Sequence, residues 1–149
     1  MNAGKMQFLG AAALALAATA AIAASEGQSR SLPVTQLQYS STGVSDGVHG
    51  EVKAAAAYGD SSRGAHGTFL KIPARFASPV HTHLNDEWGV IVSGVAANSK
   101  PGDPDIALPA GSYFFQKAGE PHVTRCLSSS ECIIFLSQPG NYDFVLTAK

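Results

Sequence analysis

The chain has 149 residues, 14% of them charged, and a formal net charge of −1. That length fits one domain, and the near-neutral balance gives no support to nucleic acid or an acidic membrane surface as a partner. Its 15 Gly and 8 Pro are spread along the chain, which favours many short strands joined by turns over long helices.

Residues 1–23 read as a secretory signal peptide. A short start carrying Lys5 precedes an apolar run over residues 6–18, and Ala21-Ile22-Ala23 puts small residues where a signal peptidase reads them. Cleavage is expected after Ala23 or Ala24. The competing reading is an uncleaved anchor, but the run is mostly alanine and barely long enough for a hydrocarbon core of about 30 Å. Residues 24–149 are then one exported domain, periplasmic or secreted, with no stable membrane anchor.

After a polar start, strand-like segments follow at residues 34–39, 50–58, 67–72, 80–83, 89–93, 112–116, 122–126, 132–137 and 142–146. Turn clusters separate them, among them Pro101-Gly102-Asp103-Pro104 and Gly119-Glu120-Pro121. Short strands at this spacing predict an all-β sandwich or barrel. The alanines at 54–57 favour helix by propensity, but the run is too short to nucleate one and is read as strand.

Cys126 and Cys132 flank a polar turn between two strand-like runs. A five-residue hairpin loop places them opposite each other, and an oxidising compartment lets them join. Closing so short a loop stabilises a fold by roughly 2–3 kcal/mol in the chain-entropy model. Two buried, inert thiols are the alternative; a metal role fits less well with the imidazoles and carboxylate elsewhere.

His81 and His83 are two apart, so in a strand both imidazoles face the same way. Glu87 follows in phase if the strand direction resumes after Leu84-Asn85-Asp86, and His122 sits three residues after the Gly119 turn. Two strands carrying these side chains inward can converge on one point, and a mixed imidazole–carboxylate set suits a divalent first-row ion.

With these residues in place, the sequence resembles the cupin superfamily. The first cupin motif, G-x5-H-x-H-x3-E-x6-G, is matched by His81, His83, Glu87 and Gly94; the second, G-x5-P-x-G-x2-H-x3-N, by Gly111, Gly119 and His122. Arg75, Lys117 and Cys126 stand where the motifs have Gly, Pro and Asn. None of these is a ligand position in the family, so the departures concern turns and strand ends. The resemblance implies a single antiparallel cupin barrel, a double-stranded β-helix or jelly roll. It also implies one divalent metal ion (Fe, Mn, Ni, Cu or Zn) held by His81, His83, Glu87 and His122.

Activities in the superfamily include dioxygenases, oxidases, isomerases and lyases. The expectation is therefore a metal-dependent enzyme, of dioxygenase or oxidase type, acting on a small organic molecule. The alternative is a non-catalytic metal- or ligand-binding or sensing module. No nucleophile elbow, phosphate-binding loop, zincin helix or nucleic-acid signature is present. Around the site, Arg125 is expected to face away, and Thr124, in phase with His122, is read first as a satisfied core threonine and second as a pocket-lining residue. His66 is read as a loop residue or a barrel-mouth residue, Tyr113 and Phe115 as core ahead of a substrate-stacking wall, and Trp88 as outward-facing. Trp88 makes a homodimer one expectation, and a covered outer core is the other.

Overall fold

The computed structural model describes residues 29–147. The signal-peptide reading of residues 1–23 lies outside them. Eleven strands make up almost all the regular structure: β1 (Ser40–Ser45), β2 (Glu51–Gly59), β3 (His66–Ile72), β4 (His81–Thr82), β5 (Glu87–Ser93), β6 (Val95–Ser99), β7 (Leu108–Pro109), β8 (Tyr113–Gln116), β9 (Val123–Cys126), β10 (Cys132–Gln138) and β11 (Val145–Leu146). Among the described residues, no helix is long and apolar enough to cross a membrane.

One antiparallel sheet runs in the order β1-β2-β3-β10-β5-β8. Facing it are the sheet β7-β6-β9 and the pair β11-β4. Bridges between His81 and His122, and between Ala77 and Arg125, tie that pair to β9. Neighbours far apart in sequence, such as β3 beside β10, give the crossed connectivity of a jelly roll. The all-β barrel expected from the turn spacing is present.

Alternation sets the core. In β10, Cys132, Ile134, Leu136 and Gln138 point inward; in β5, Glu87, Gly89 and Ile91 do so while Trp88, Val90 and Val92 point out. Ile72, Phe76, Ile91 and Ile134 are almost fully buried and pack with Val52, Ala96 and Leu136. Burial of each large side chain contributes about 1.5–3 kcal/mol. Cys126 and Cys132 form the expected disulfide at the apolar end of this core, but not across a hairpin. β9 pairs with β6 and β10 with β3 and β5, so the bond joins two sheets where the chain passes from one to the other. The alanine run is strand, with Ala54, Ala55 and Ala56 paired to Leu70, Phe69 and Thr68.

Residues 34–39 are not a strand. Pro33, fixed at φ −60°, caps a 3-10 turn over Val34–Gln36, and pairing begins only at Ser40. The serine-rich β1 has no apolar alternation to announce it; its place comes from pairing with β2. The strand β6, with sequence Val-Ala-Ala-Asn-Ser, is a second addition, held between β7 and β9. The last expected strand, 142–146, is paired only at Val145 and Leu146.

The motif departures keep the family's geometry. Arg75 adopts φ 60°, the left-handed conformation that a Gly at that position adopts without strain. Gly94 has φ 81°, and a Cβ there would stand 2.8 Å from the Cys132 sulfur, so glycine is required on both counts.

Candidate metal centre

His81 and His83 enter the barrel interior from β4 and its end, and His122 from the residue preceding β9. All three are buried. Reciprocal backbone hydrogen bonds between His81 and His122, at 3.0 and 3.1 Å, lock the two segments together. One ring nitrogen of each imidazole lies within 4.8 Å of the others.

The tautomers follow from the partners. Nδ1 of His81 contacts the Pro79 carbonyl at 2.9 Å, Nδ1 of His83 the Asp143 carbonyl at 2.7 Å, and Nδ1 of His122 the Glu120 carbonyl at 3.1 Å. A carbonyl oxygen only accepts, so each Nδ1 carries the proton and each Nε2 keeps its lone pair. This is the arrangement that metal-ligating imidazoles use, with the second nitrogen orienting the ring. Burial holds the rings neutral. It pushes His81 down to about 3, with the neighbouring His122 adding to the effect, and His122 down to about 4; His83 is lowered for the same reason.

Glu87 opens β5 beside them. Its Oε2 lies 3.4 Å from His83 Nε2, while Oε1 accepts a 2.6 Å hydrogen bond from Gln138 Nε2. Burial, reinforced by the Asp143 carboxylate, raises the Glu87 carboxyl to about 8. With His83 lowered and Glu87 raised, the contact is a neutral pair at neutral pH and not an ion pair. A bound cation would reverse this preference and hold Glu87 as the carboxylate. The donor set fits a divalent ion: three Nε2 lone pairs with an adjacent carboxylate.

A segment over residues 139–147 straps this end of the barrel. The Asp143 carbonyl holds His83 and its carboxylate accepts from the Leu84 N–H; the Phe144 ring stacks on His81 with centroids 3.9 Å apart; β11 pairs with β4. Tyr142 lines the cavity beside the histidines, and burial, with the charges of Glu87 and Asp143, pushes its hydroxyl up to about 12. The cavity itself is small, about 40 Å³. Apolar side chains such as Leu70, Ile72, Phe114 and Ile134 dominate its wall, and among the described residues no Lys or Arg lines it.

The structure brings His81, His83 and His122 together and places Glu87 against His83. Thr124 lines the cavity, the second of its two readings, and Arg125 faces away as expected, bonded to Asp105 at 2.9 Å. Trp88 faces outward. Tyr113 and Phe115 are not core; they are exposed, because Gln116 pairs with Glu87 across the ladder and takes the inward phase with Phe114. His66 is neither a loose loop residue nor a cavity wall: it is 1% exposed, its Nδ1 contacts the Gly64 and Gly140 carbonyls, and its Nε2 has no partner. Sequence reasoning missed Gln138, Tyr142, Asp143 and Phe144. The sole cue to Gln138 is its phase at the end of the alternating β10 run.

The family model described as "Domain of unknown function (DUF4437)" matches residues 34–147, and the chain belongs to that family. None of the curated proteins matches it. Among solved structures, the DMSP lyase DddQ from Ruegeria pomeroyi is similar at 22% identity and TM-score 0.60, over 76% of this chain and 62% of that one. The polyketide cyclase RemF from Streptomyces resistomycificus is similar at 13% identity and TM-score 0.64, over 82% and 88%. An RmlC-like cupin protein from Ralstonia eutropha is similar at 21% identity and TM-score 0.58, over 76% and 69%. This chain thus spans 62% of the lyase's length. At these identities the likeness is one of fold, and the fold is that of the cupin superfamily.

Proposed function

We propose that this cupin of the DUF4437 family is an exported enzyme using one divalent metal ion, held by His81, His83, Glu87 and His122, to act on a small organic molecule. The observation that carries the reading is the set of three buried imidazoles whose Nδ1–H groups are all engaged by backbone carbonyls, leaving three Nε2 lone pairs directed together. Iron, manganese, nickel, copper and zinc all suit such ligands. When bound, the ion supplies a Lewis-acid or redox centre. The first reaction class is dioxygenase- or oxidase-like, because four protein ligands leave coordination positions for further oxygen donors.

The chain's own residues do the rest. The Pro79, Glu120 and Asp143 carbonyls fix the ring orientations, and Gln138 turns the Glu87 carboxyl toward His83. The apolar wall excludes water and, lacking Lys or Arg, offers no cationic anchor for an anionic substrate. Tyr142, kept protonated, can donate a hydrogen bond to a ligand oxygen. A lyase and a cyclase share the fold, which supports catalysis on small molecules as a class.

A second reading, a metal- or ligand-binding module, is favoured by one observation: among the described residues, no group outside the ligand set stands poised as a general base in the cavity. Metal analysis of protein purified from its own compartment, followed by a panel of small oxygenated substrates, separates the two. Turnover lost on chelation supports the enzyme; stabilisation by metal or ligand without turnover selects the module. Export is supported by Ala21-Ile22-Ala23 and by the Cys126–Cys132 disulfide. An intact mass that retains residues 1–23 in the exported protein would remove that part.

A further inference from the structure

We infer that His66 is a positioning residue for the metal centre: it latches the strap over residues 139–147, and the strap in turn sets the His83 ring. The latch stands on contacts within this chain. Its consequence for an ion rests on the proposed function.

His66 opens β3, in register with Gly59 of β2 and Gln138 of β10, so the sheet fixes its backbone on both sides. Its Nδ1–H is shared between the Gly64 carbonyl at 2.9 Å and the Gly140 carbonyl at 3.0 Å. Those oxygens only accept, so Nε2 carries a lone pair, and it is buried without a partner among the described residues. A buried acceptor left in that state lowers stability, and an apolar side chain of similar size would avoid the loss. What the imidazole supplies, and an apolar side chain does not, is the Nδ1 bond to the strap.

That bond acts at the root of the strap. Gly140 is held through its carbonyl by His66, and on its other side a Cβ would overlap the Asn85 side chain. Asn85 Nδ2 donates to the Asn141 carbonyl at 3.2 Å, and the Tyr142 N–H to the Ser61 carbonyl at 2.8 Å. Next in the chain is Asp143, whose carbonyl accepts from His83 Nδ1 at 2.7 Å. Beyond it, β11 pairs with β4 only at Val145 and Leu146, so no long ladder fixes the strap. Its place depends on these few separate bonds. Without the one from His66, the strap is free to shift and the Asp143 carbonyl shifts with it. His83 then loses the acceptor that keeps its proton on Nδ1 and its Nε2 lone pair toward the site.

Proton–nitrogen NMR of the imidazoles in metal-free protein, with metal affinity from chelator competition, tests this on His66→Leu and His66→Asn. Asparagine places an N–H near the position of Nδ1 and can still donate to Gly140; leucine cannot. Both variants should lose thermal stability. Only His66→Leu should turn His83 from one tautomer into a mixture and speed hydrogen exchange at the Tyr142 amide. It should also weaken metal binding by about tenfold, the low end for loss of an outer partner. His66→Asn should keep all three near their unmodified values. Should His66→Leu fail to fold, Gly140→Ala, which drives the strap against Asn85, should disturb the His83 tautomer in the same way. An undisturbed His83 tautomer in the folded variant overturns the inference. So does an equal change in His66→Leu and His66→Asn, which makes His66 a packing residue, or a disturbed tautomer with unchanged metal affinity. An unmodified chain that binds no metal removes the proposed function instead, and the tautomer and exchange rate still uphold or overturn the latch.

Discussion

The two ends of β10 differ by only six residues in sequence, yet they solve burial in opposite ways. At Cys132 the interior is closed by a covalent bond to Cys126 and by Ile72, Phe76 and Ile134. At Gln138 a row of buried polar groups crosses four strands: His66 on β3, Gln138 on β10, Glu87 on β5 and Gln116 on β8. The first end is complete within the chain. The second leaves the buried His66 Nε2 without a partner among the described residues and raises the Glu87 carboxyl well above its usual range. Polar groups so placed cost stability unless partnered, at about 1–3 kcal/mol each. One end of the barrel is closed by apolar packing and a covalent bond, and the other is the end where the proposed function places the metal ion.

The sharpest way to break this contrast is at the histidines. A His81→Ala, His122→Ala double variant should lose essentially all bound metal, measured by elemental analysis; full occupancy would sink the site. Reduction of Cys126–Cys132 should lower the urea unfolding free energy by roughly 2–3 kcal/mol while metal content is retained. Loss of metal on reduction would show that the two ends are coupled. Gln138→Leu should weaken metal binding by about 10–100-fold, read by chelator competition. In a Glu87→Gln background the same change should add little, because its effect passes through Glu87; equal losses in both backgrounds would leave Gln138 a packing residue only.

The smallest effect is in the pH dependence of the metal-free protein. His81, His83 and His122 are lowered on folding, so their contribution is present above the unfolded value of 6.5 and is lost as pH falls toward about 4 and 3. Glu87 is raised, so its contribution is present below 4.5 and is lost as pH rises toward about 8. Three groups oppose one below 6.5, and Glu87 acts alone above it. Thermal unfolding midpoints should therefore peak near 6.5, and Glu87→Gln should flatten the alkaline side. A midpoint that still falls between 6.5 and 8 in that variant would assign the loss to another group.

The site was legible where chemistry imposes spacing. His-x-His in a strand, a carboxylate in phase and a third histidine after a glycine turn name their own geometry. Cys126 and Cys132 announced their bond by spacing, but not the sheet-to-sheet turn that carries it. The rest depends on which strand lies beside which. The exposure of Tyr113 and Phe115 follows from the pairing of Gln116 with Glu87, and neither residue reveals its phase alone. The serines of β1 and the alanines of β6 have weak strand propensity and become strands through their neighbours. Gln138 and the strap reach the histidines only after the barrel has closed.

That strap also bears on how the centre comes into being. His83 takes its orientation from Asp143, 60 residues away in sequence, and His81 is stacked by Phe144 and bridged to His122. Contacts of such separation carry a large loop-closure cost and form slowly. An unfolded chain offers an ion only the flexible His81-Thr82-His83 pair, a weak chelate without the third imidazole. Under the proposed function, tight uptake of metal would follow completion of the native topology, and its rate would report the last step of folding.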